Sequence, residues 1–261
     1  MNMKFHEFGV NNEKTILLLN GFGSCWARFT PLYHTLAKEY HVITDAYDGF
    51  NPEEPKTEFK SHFYEAICAV NYILERFDGK LDVLYACSFG NNVLFEILND
   101  PRITVKHAIG DGMEFSDFFG KFKSEFAKRF ISACTGSFFW FMVVKNIDFS
   151  AKLMGRTKEQ AHNLVYEKAT RRSYINADYH LVGYGKPFSV MNKTDFHVWY
   201  GENGIAERAL SREVESLTKR GCRFSYKLMK GLGHGGLGDC PEHFLEEVNL
   251  VVKKEKQVSV N

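Results

Sequence analysis

Alternating β-type and helix-type runs predict an α/β chain: a mainly parallel central sheet flanked by helices, with one helical insertion. Two further observations support this class. The length, 261 residues, falls where a single α/β domain commonly lies, at about 250 residues. The interval from Gly112 to Lys193 holds no convincing strand, only Phe-rich and then polar helical stretches.

The elements follow in order. Thr15 to Leu19 (TILLL) and His41 to Asp45 (HVITD) read as strands, and Phe59 to Phe77 carries apolar residues at helical spacing. Leu81 to Cys87 is a strand, Asn91 to Leu98 a helix and Ile103 to Ile109 a strand. Phe196 to Tyr200 resumes the sheet, followed by a helix over Glu207 to Lys219, a strand over Arg223 to Leu228 and a helix over Pro241 to Lys253. Residues 1–111 and 194–261 are thus expected to form the core and 112–193 a cap, with Lys253 to Asn261 a solvated tail. Within the cap, aromatic density from Phe115 through Phe118, Phe119, Phe122, Phe126, Phe130 and Phe138 to Phe141 exceeds the chain's 15%. That much apolar surface is expected to be buried, by packing onto the core or as a wall of a substrate pocket.

Composition narrows the function classes. A formal net charge of +1, with Lys and Arg scattered, argues against a nucleic-acid footprint. Six cysteines without a C-x-x-C pair disfavour metal clusters and disulfide scaffolds, and Met1 to Val10 lacks a signal-peptide pattern. The longest apolar run, Ser137 to Val144, is far shorter than the roughly 20 residues that span a bilayer, so no stable membrane insertion is expected. A cytoplasmic protein with free thiols is the expectation.

Three segments carry chemistry. In Leu81-Asp82-Val83-Leu84-Tyr85-Ala86-Cys87-Ser88-Phe89-Gly90 a strand ends at a serine flanked two residues away by small residues. This is the spacing of a nucleophile elbow, in which small neighbours let strand and helix approach while the hydroxyl projects outward. In Leu17-Leu18-Leu19-Asn20-Gly21-Phe22-Gly23 a strand enters a glycine turn with free backbone N–H groups. Those of Phe22 and Phe89 are the expected oxyanion donors, with Gly21 and Trp26 at the substrate. In Lys230-Gly231-Leu232-Gly233-His234-Gly235-Gly236 a histidine sits inside four glycines, placed to serve as general base. Cys25 and Cys87, beside these turns, read as buried small hydrophobes.

In this order the three segments resemble the α/β-hydrolase superfamily, and specifically its small, capped serine esterase and acyl-hydrolase type. The resemblance covers nearly the whole chain. It implies a sheet of about eight strands, a Ser-acid-His triad with Ser88 and His234, and no cofactor or metal. The acid departs from the pattern, because Gly204 in Gly201-Glu202-Asn203-Gly204 stands where Asp is expected. Asp111, Glu207 and Glu202 preserve the chain order, ranked in that sequence.

The expected activity is hydrolysis of an ester, with thioester and amide as variants, of a small apolar substrate through an acyl-enzyme. Acyl transfer and C–C bond hydrolysis use the same site. The alternative from another class is ligand binding without turnover.

Overall fold

The computed structural model describes residues 3–113, 124–182, 184–203 and 214–253. Among these, seven strands form one sheet: β1 (Lys4–Phe8), β2 (Thr15–Leu19), β3 (His41–Ala46), β4 (Lys80–Cys87), β5 (Thr104–Asp111), β6 (Asp195–Gly201) and β7 (Ser225–Met229). Their order is β1-β3-β2-β4-β5-β6-β7, and every pairing is parallel except that of β1 with β3.

Alternation along the strands divides two apolar layers. Leu17, Leu19, Leu84 and Ala86 point into one, and Ile16, Leu18, Val83 and Tyr85 into the other. A parallel sheet covered on both faces needs apolar residues at both phases, hence the unbroken run TILLL. The first layer is covered by α2 (His62–Phe77) and α3 (Gly90–Asn99), with Ala66, Ala69, Val70 and Ile73 facing in from α2. Its start is fixed by Ser61, whose hydroxyl accepts from Tyr64 N–H at 3.0 Å. The second layer is covered by α1 (Thr30–Leu36) and the last helix, Pro241–Lys253, which places Phe244, Leu245, Val248 and Val251 inward.

Six strands agree with the sequence expectation to within two residues, and the helix over Pro241–Lys253 matches end to end. β1 and α1 were not expected. KFHEF is a half-covered edge strand paired on one side only, so it carries no apolar run, and α1 is two turns long. Seven strands are described where the resemblance implies about eight. Of the helix expected over Glu207 to Lys219, residues 214–219 are helical and the rest lies outside the described residues.

Between β5 and β6 the described residues form α4 (Glu125–Trp140), α5 (Ile147–Met154), α6 (Lys158–Leu164) and α7 (Arg171–Val182). The interval is stitched to the core: Tyr166 N–H donates to Gly23 O at 2.8 Å, and Asn176 Nδ2 to Phe59 O at 2.8 Å. The buried residues of α4 are Ser132 and Gly136, with Phe139 and Trp140 packed half-buried against the core, and a Cβ on Gly136 would lie 2.7 Å from the Ile175 Cα of α7. The expected burial of the phenylalanines is corrected accordingly. With small residues facing α7, Phe126, Phe130, Phe138 and Phe141 fall on the outer side and are 54–80% exposed. Phe115, Phe118, Phe119 and Phe122 lie outside the described residues. Among the described residues no helix is long and apolar enough to cross a membrane.

Candidate functional site

Ser88 ends β4 with φ +52°, one of two non-glycine residues at positive φ among those described. Such a conformation costs on the order of 1–3 kcal/mol and persists only where the surroundings enforce it. Here they do. Ser88 N–H donates to Asp111 O at 2.8 Å, while Asn91 Nδ2 donates to Ser88 O at 2.8 Å and to Asp111 O at 3.1 Å. Gly90 is required by packing, since a Cβ there would lie 2.7 Å from both Leu19 O and Asn20 O. Ala86, the departure from glycine two residues earlier, is fully buried between Leu19 and Gly110 of the neighbouring strands, so the sheet accommodates its methyl.

The glycine turn after β2 lies against this elbow. A Cβ on Gly21 would sit 3.4 Å from Ser88 Cβ. Among the described hydrogen bonds, neither the Phe22 nor the Phe89 N–H donates to a protein acceptor, as free oxyanion donors require. The turn is held from behind by Asp45 on β3, fully buried, whose Oδ1 accepts from Asn20 N–H at 3.2 Å and from Asn20 Nδ2 at 2.6 Å. Burial pushes the Asp45 carboxyl up to about 7 against the opposing effect of the Asn20 bonds. From the helical interval Tyr174 covers the turn, its ring 4.6 Å from that of Phe22. A Cβ on Gly23, at φ +71°, would meet the Tyr174 hydroxyl at 2.3 Å, so only glycine fits beneath it.

His234 lines the same cavity as Ser88, with Gly21, Phe22, Cys87, Met154 and Arg156. Its ring lies over Gly112, where a Cβ would be 2.5 Å from Cε1. The loop is held on one side by the end of β6, where Asn203 N–H donates to Leu232 O at 2.8 Å, and on the other by the helical interval. His234 N–H donates to Met154 O at 2.9 Å, Arg156 Nε donates to His234 O at 3.0 Å, and Arg156 Nη1 lies 2.9 Å from Asp239 Oδ2. The Arg156 side chain is 2% exposed. Burial, reinforced by the Arg156 charge, lowers the imidazole pKa to about 4. A neutral imidazole is the base form, so kcat/KM should stay flat from pH 7 down to about 5 and fall only near pH 4. An acid limb at 6.5 or above in a pH-rate profile would overturn the reading of a ring desolvated by burial beside the Arg156 charge.

The candidate acids separate. Asp111 is buried at the end of β5, but its Oδ2 accepts from Tyr85 Oη at 2.8 Å, and burial raises its pKa to about 6. Strand alternation accounts for this: Asp111 pairs with Cys87 and shares the Tyr85 side of the sheet. Glu202 accepts from Gly231 N–H at 2.7 Å. Glu207 lies outside the described residues. Among the described residues no carboxylate makes a hydrogen bond or ion pair with the His234 ring.

Trp26, expected at the substrate, does not line the cavity. It opens a 3₁₀ turn whose direction carries the indole to β1, where it stacks on His6 at 3.5 Å. Cys87 Sγ lies beneath Gly235, and burial pushes its thiol up to about 12, which disfavours a thiolate nucleophile. Asp45, Asn91, Tyr174 and Arg156 were not singled out from the sequence. Each acts across at least 20 residues of chain or through backbone atoms, and no local motif marks it.

No family model matches the chain. An uncharacterized hydrolase of Saccharomyces cerevisiae is 28% identical over 93 residues, 36% of this chain and 32% of that protein, so the match spans about a third of the relative. Solved structures match far more of the chain. An alpha/beta hydrolase family protein from Desulfitobacterium hafniense superposes with a TM-score of 0.74 at 18% identity, covering 95% of this chain and 100% of its own. MenH from S. aureus gives 0.73 at 13% identity over 98% and 99%. A thermophilic esterase from Thermogutta terrifontis gives 0.69 at 16% identity over 97% and 93%. At these identities the likeness establishes the fold.

Proposed function

We propose that this chain, an α/β hydrolase by fold, is a serine hydrolase that cleaves an ester of a small, largely apolar substrate. The observation that carries the reading is the left-handed Ser88 beside the glycine turn, in one cavity with a desolvated His234. Ser88 Oγ attacks the substrate carbonyl carbon and passes its proton to His234. The N–H groups of Phe22 and Phe89 receive the developing negative oxygen. Collapse expels the alcohol, which takes the proton back from His234, and water then releases the acyl group by the same steps in reverse. Leu18, Leu19, Phe22, Phe29 and Met154 give the cavity its apolar lining, and Met154 and Arg156 bring the helical interval onto it in the manner of a cap. The hydrolase and esterase names of the similar proteins are consistent with this chemistry.

Ligand binding without turnover is the second reading. It is favoured by one observation, the lack of a carboxylate on His234 among the described residues. A fluorophosphonate probe separates the two. The expected result is one adduct per chain, mapped by mass spectrometry to Ser88 and absent from Ser88→Ala and His234→Ala. No adduct on the intact protein would sink the hydrolase reading in favour of the binding one.

A further inference from the structure

At the far end of the sheet from Ser88, three side chains converge that the site described above does not use. His107 on β5 and Asp195 and His197 on β6 project from one face: His107 is paired with Asp195, and His197 lies two residues further along the same strand. Asp195 Oδ2 lies 3.0 Å from His107 Nδ1 and 2.8 Å from His197 Nε2, and all three atoms lie within 4.8 Å of one another. His107 stands four residues before Asp111 at the catalytic end, about 13 Å along the strand.

We propose that His107 Nδ1, His197 Nε2 and Asp195 Oδ2 form a binding site for a divalent transition metal of the zinc class. The donor set decides the class, since two imidazoles and one carboxylate suit zinc, cobalt or nickel and do not suit magnesium or calcium, which take oxygen ligands. Two features beyond the convergence point the same way. The imidazoles are 1% and 5% exposed while Asp195 is 49% exposed, so the rings are held within the protein and the carboxylate side chain is open to solvent. Ser225 on β7 places Oγ 2.6 Å from His197 Nδ1. Metal-bound histidines characteristically engage a hydrogen-bond partner through the other ring nitrogen, which fixes tautomer and orientation. On binding, the His197 proton resides on Nδ1 and Ser225 Oγ accepts it, leaving the Nε2 lone pair for the metal. Bonds of about 2.0–2.1 Å in tetrahedral geometry require donor atoms a few tenths of an ångström further apart than the present 2.8 and 3.0 Å. A rotation of the half-exposed Asp195 side chain supplies this.

The location gives the ion a structural consequence. β5 and β6 are adjacent in the sheet but separated in sequence by residues 112–194, so a shared metal would tie together the two core segments that flank the helical interval.

The test uses the full chain, stripped with a chelator and dialysed against zinc(II), with cobalt(II) as the spectroscopic probe. One equivalent of zinc per chain should be retained, thermal unfolding should move to higher temperature with zinc, and cobalt should show ligand-field bands of a nitrogen- and oxygen-ligated site. Asp195→Asn and His197→Gln, checked for native circular dichroism, should abolish both retention and bands. Ser225→Ala, which spares the ligands, should weaken binding about 10-fold. Failure of the apo chain to retain zinc overturns the proposal. So does a stoichiometry unchanged in both ligand variants, because the ion would then sit elsewhere. Fluorophosphonate labelling of Ser88 should be unaffected by any of these variants, so the outcome here is independent of the hydrolase reading.

Discussion

Under the proposed mechanism, replacing Ser88 by alanine should lower kcat by about 10⁴- to 10⁶-fold, because it removes the atom to which the acyl group would bond and leaves the proposed oxyanion donors in place. Substrate binding should change little, since the cavity is lined mainly by apolar residues from β2, the glycine turn and the helical interval. The backbone makes a second variant informative. Ser88 holds φ +52° and alanine at that φ carries the same strain, so Ser88→Ala should unfold near the wild-type temperature. Ser88→Gly relieves the strain and should be more stable by about 1 kcal/mol while equally inactive. Steady-state kinetics and thermal unfolding of both variants measure this. A Ser88→Ala protein with more than a hundredth of the wild-type kcat would rule out the covalent mechanism. Equal stability of the glycine and alanine variants would mean that the elbow is unstrained.

The placement of Ser88 and His234 in one cavity was legible in the sequence because each stands on a local device. Ser88 needs small residues at fixed offsets, and Gly90 is explained by a backbone approach that no side chain tolerates. His234 stands in a glycine loop for the same kind of reason, as Gly233 packs against Met154 O and Gly155 O, where a Cβ would lie 2.5 Å from each. What supports these residues was not legible. Asp45 reaches Asn20 across 25 residues and is one polar letter in the strand HVITDA. Arg156 reaches the carbonyl of His234 across 78 residues. Asp111 was the leading candidate acid from its place at a strand end, a placement the structure reproduces. The direction of its carboxylate, toward Tyr85, follows from strand register, which motif spacing does not contain.

Arg156→Met should have the largest effect of any change outside Ser88 and His234, because the guanidinium serves the His234 loop in two ways. It holds the loop by donating to His234 O and pairing with Asp239, and its charge depresses the imidazole pKa. Removing it leaves a partly buried carboxylate and a carbonyl without their partner. With Asp239 itself 22% exposed, water compensates in part, and a loss on the order of 2–3 kcal/mol of stability is expected. The electrostatic effect has a definite sign. A cation near the ring disfavours its protonation, so its loss raises the His234 pKa and moves the acid limb of kcat/KM to higher pH. A purely structural clamp would lower the unfolding temperature and leave that limb where it was. Arg156→Lys divides the two roles, since it keeps the charge but lacks the fork that reaches two acceptors at once. It should unfold at reduced temperature with the wild-type acid limb. If the limb in Arg156→Met stays at its wild-type position, the cation is electrostatically remote from the base, and its place beside His234 serves packing alone.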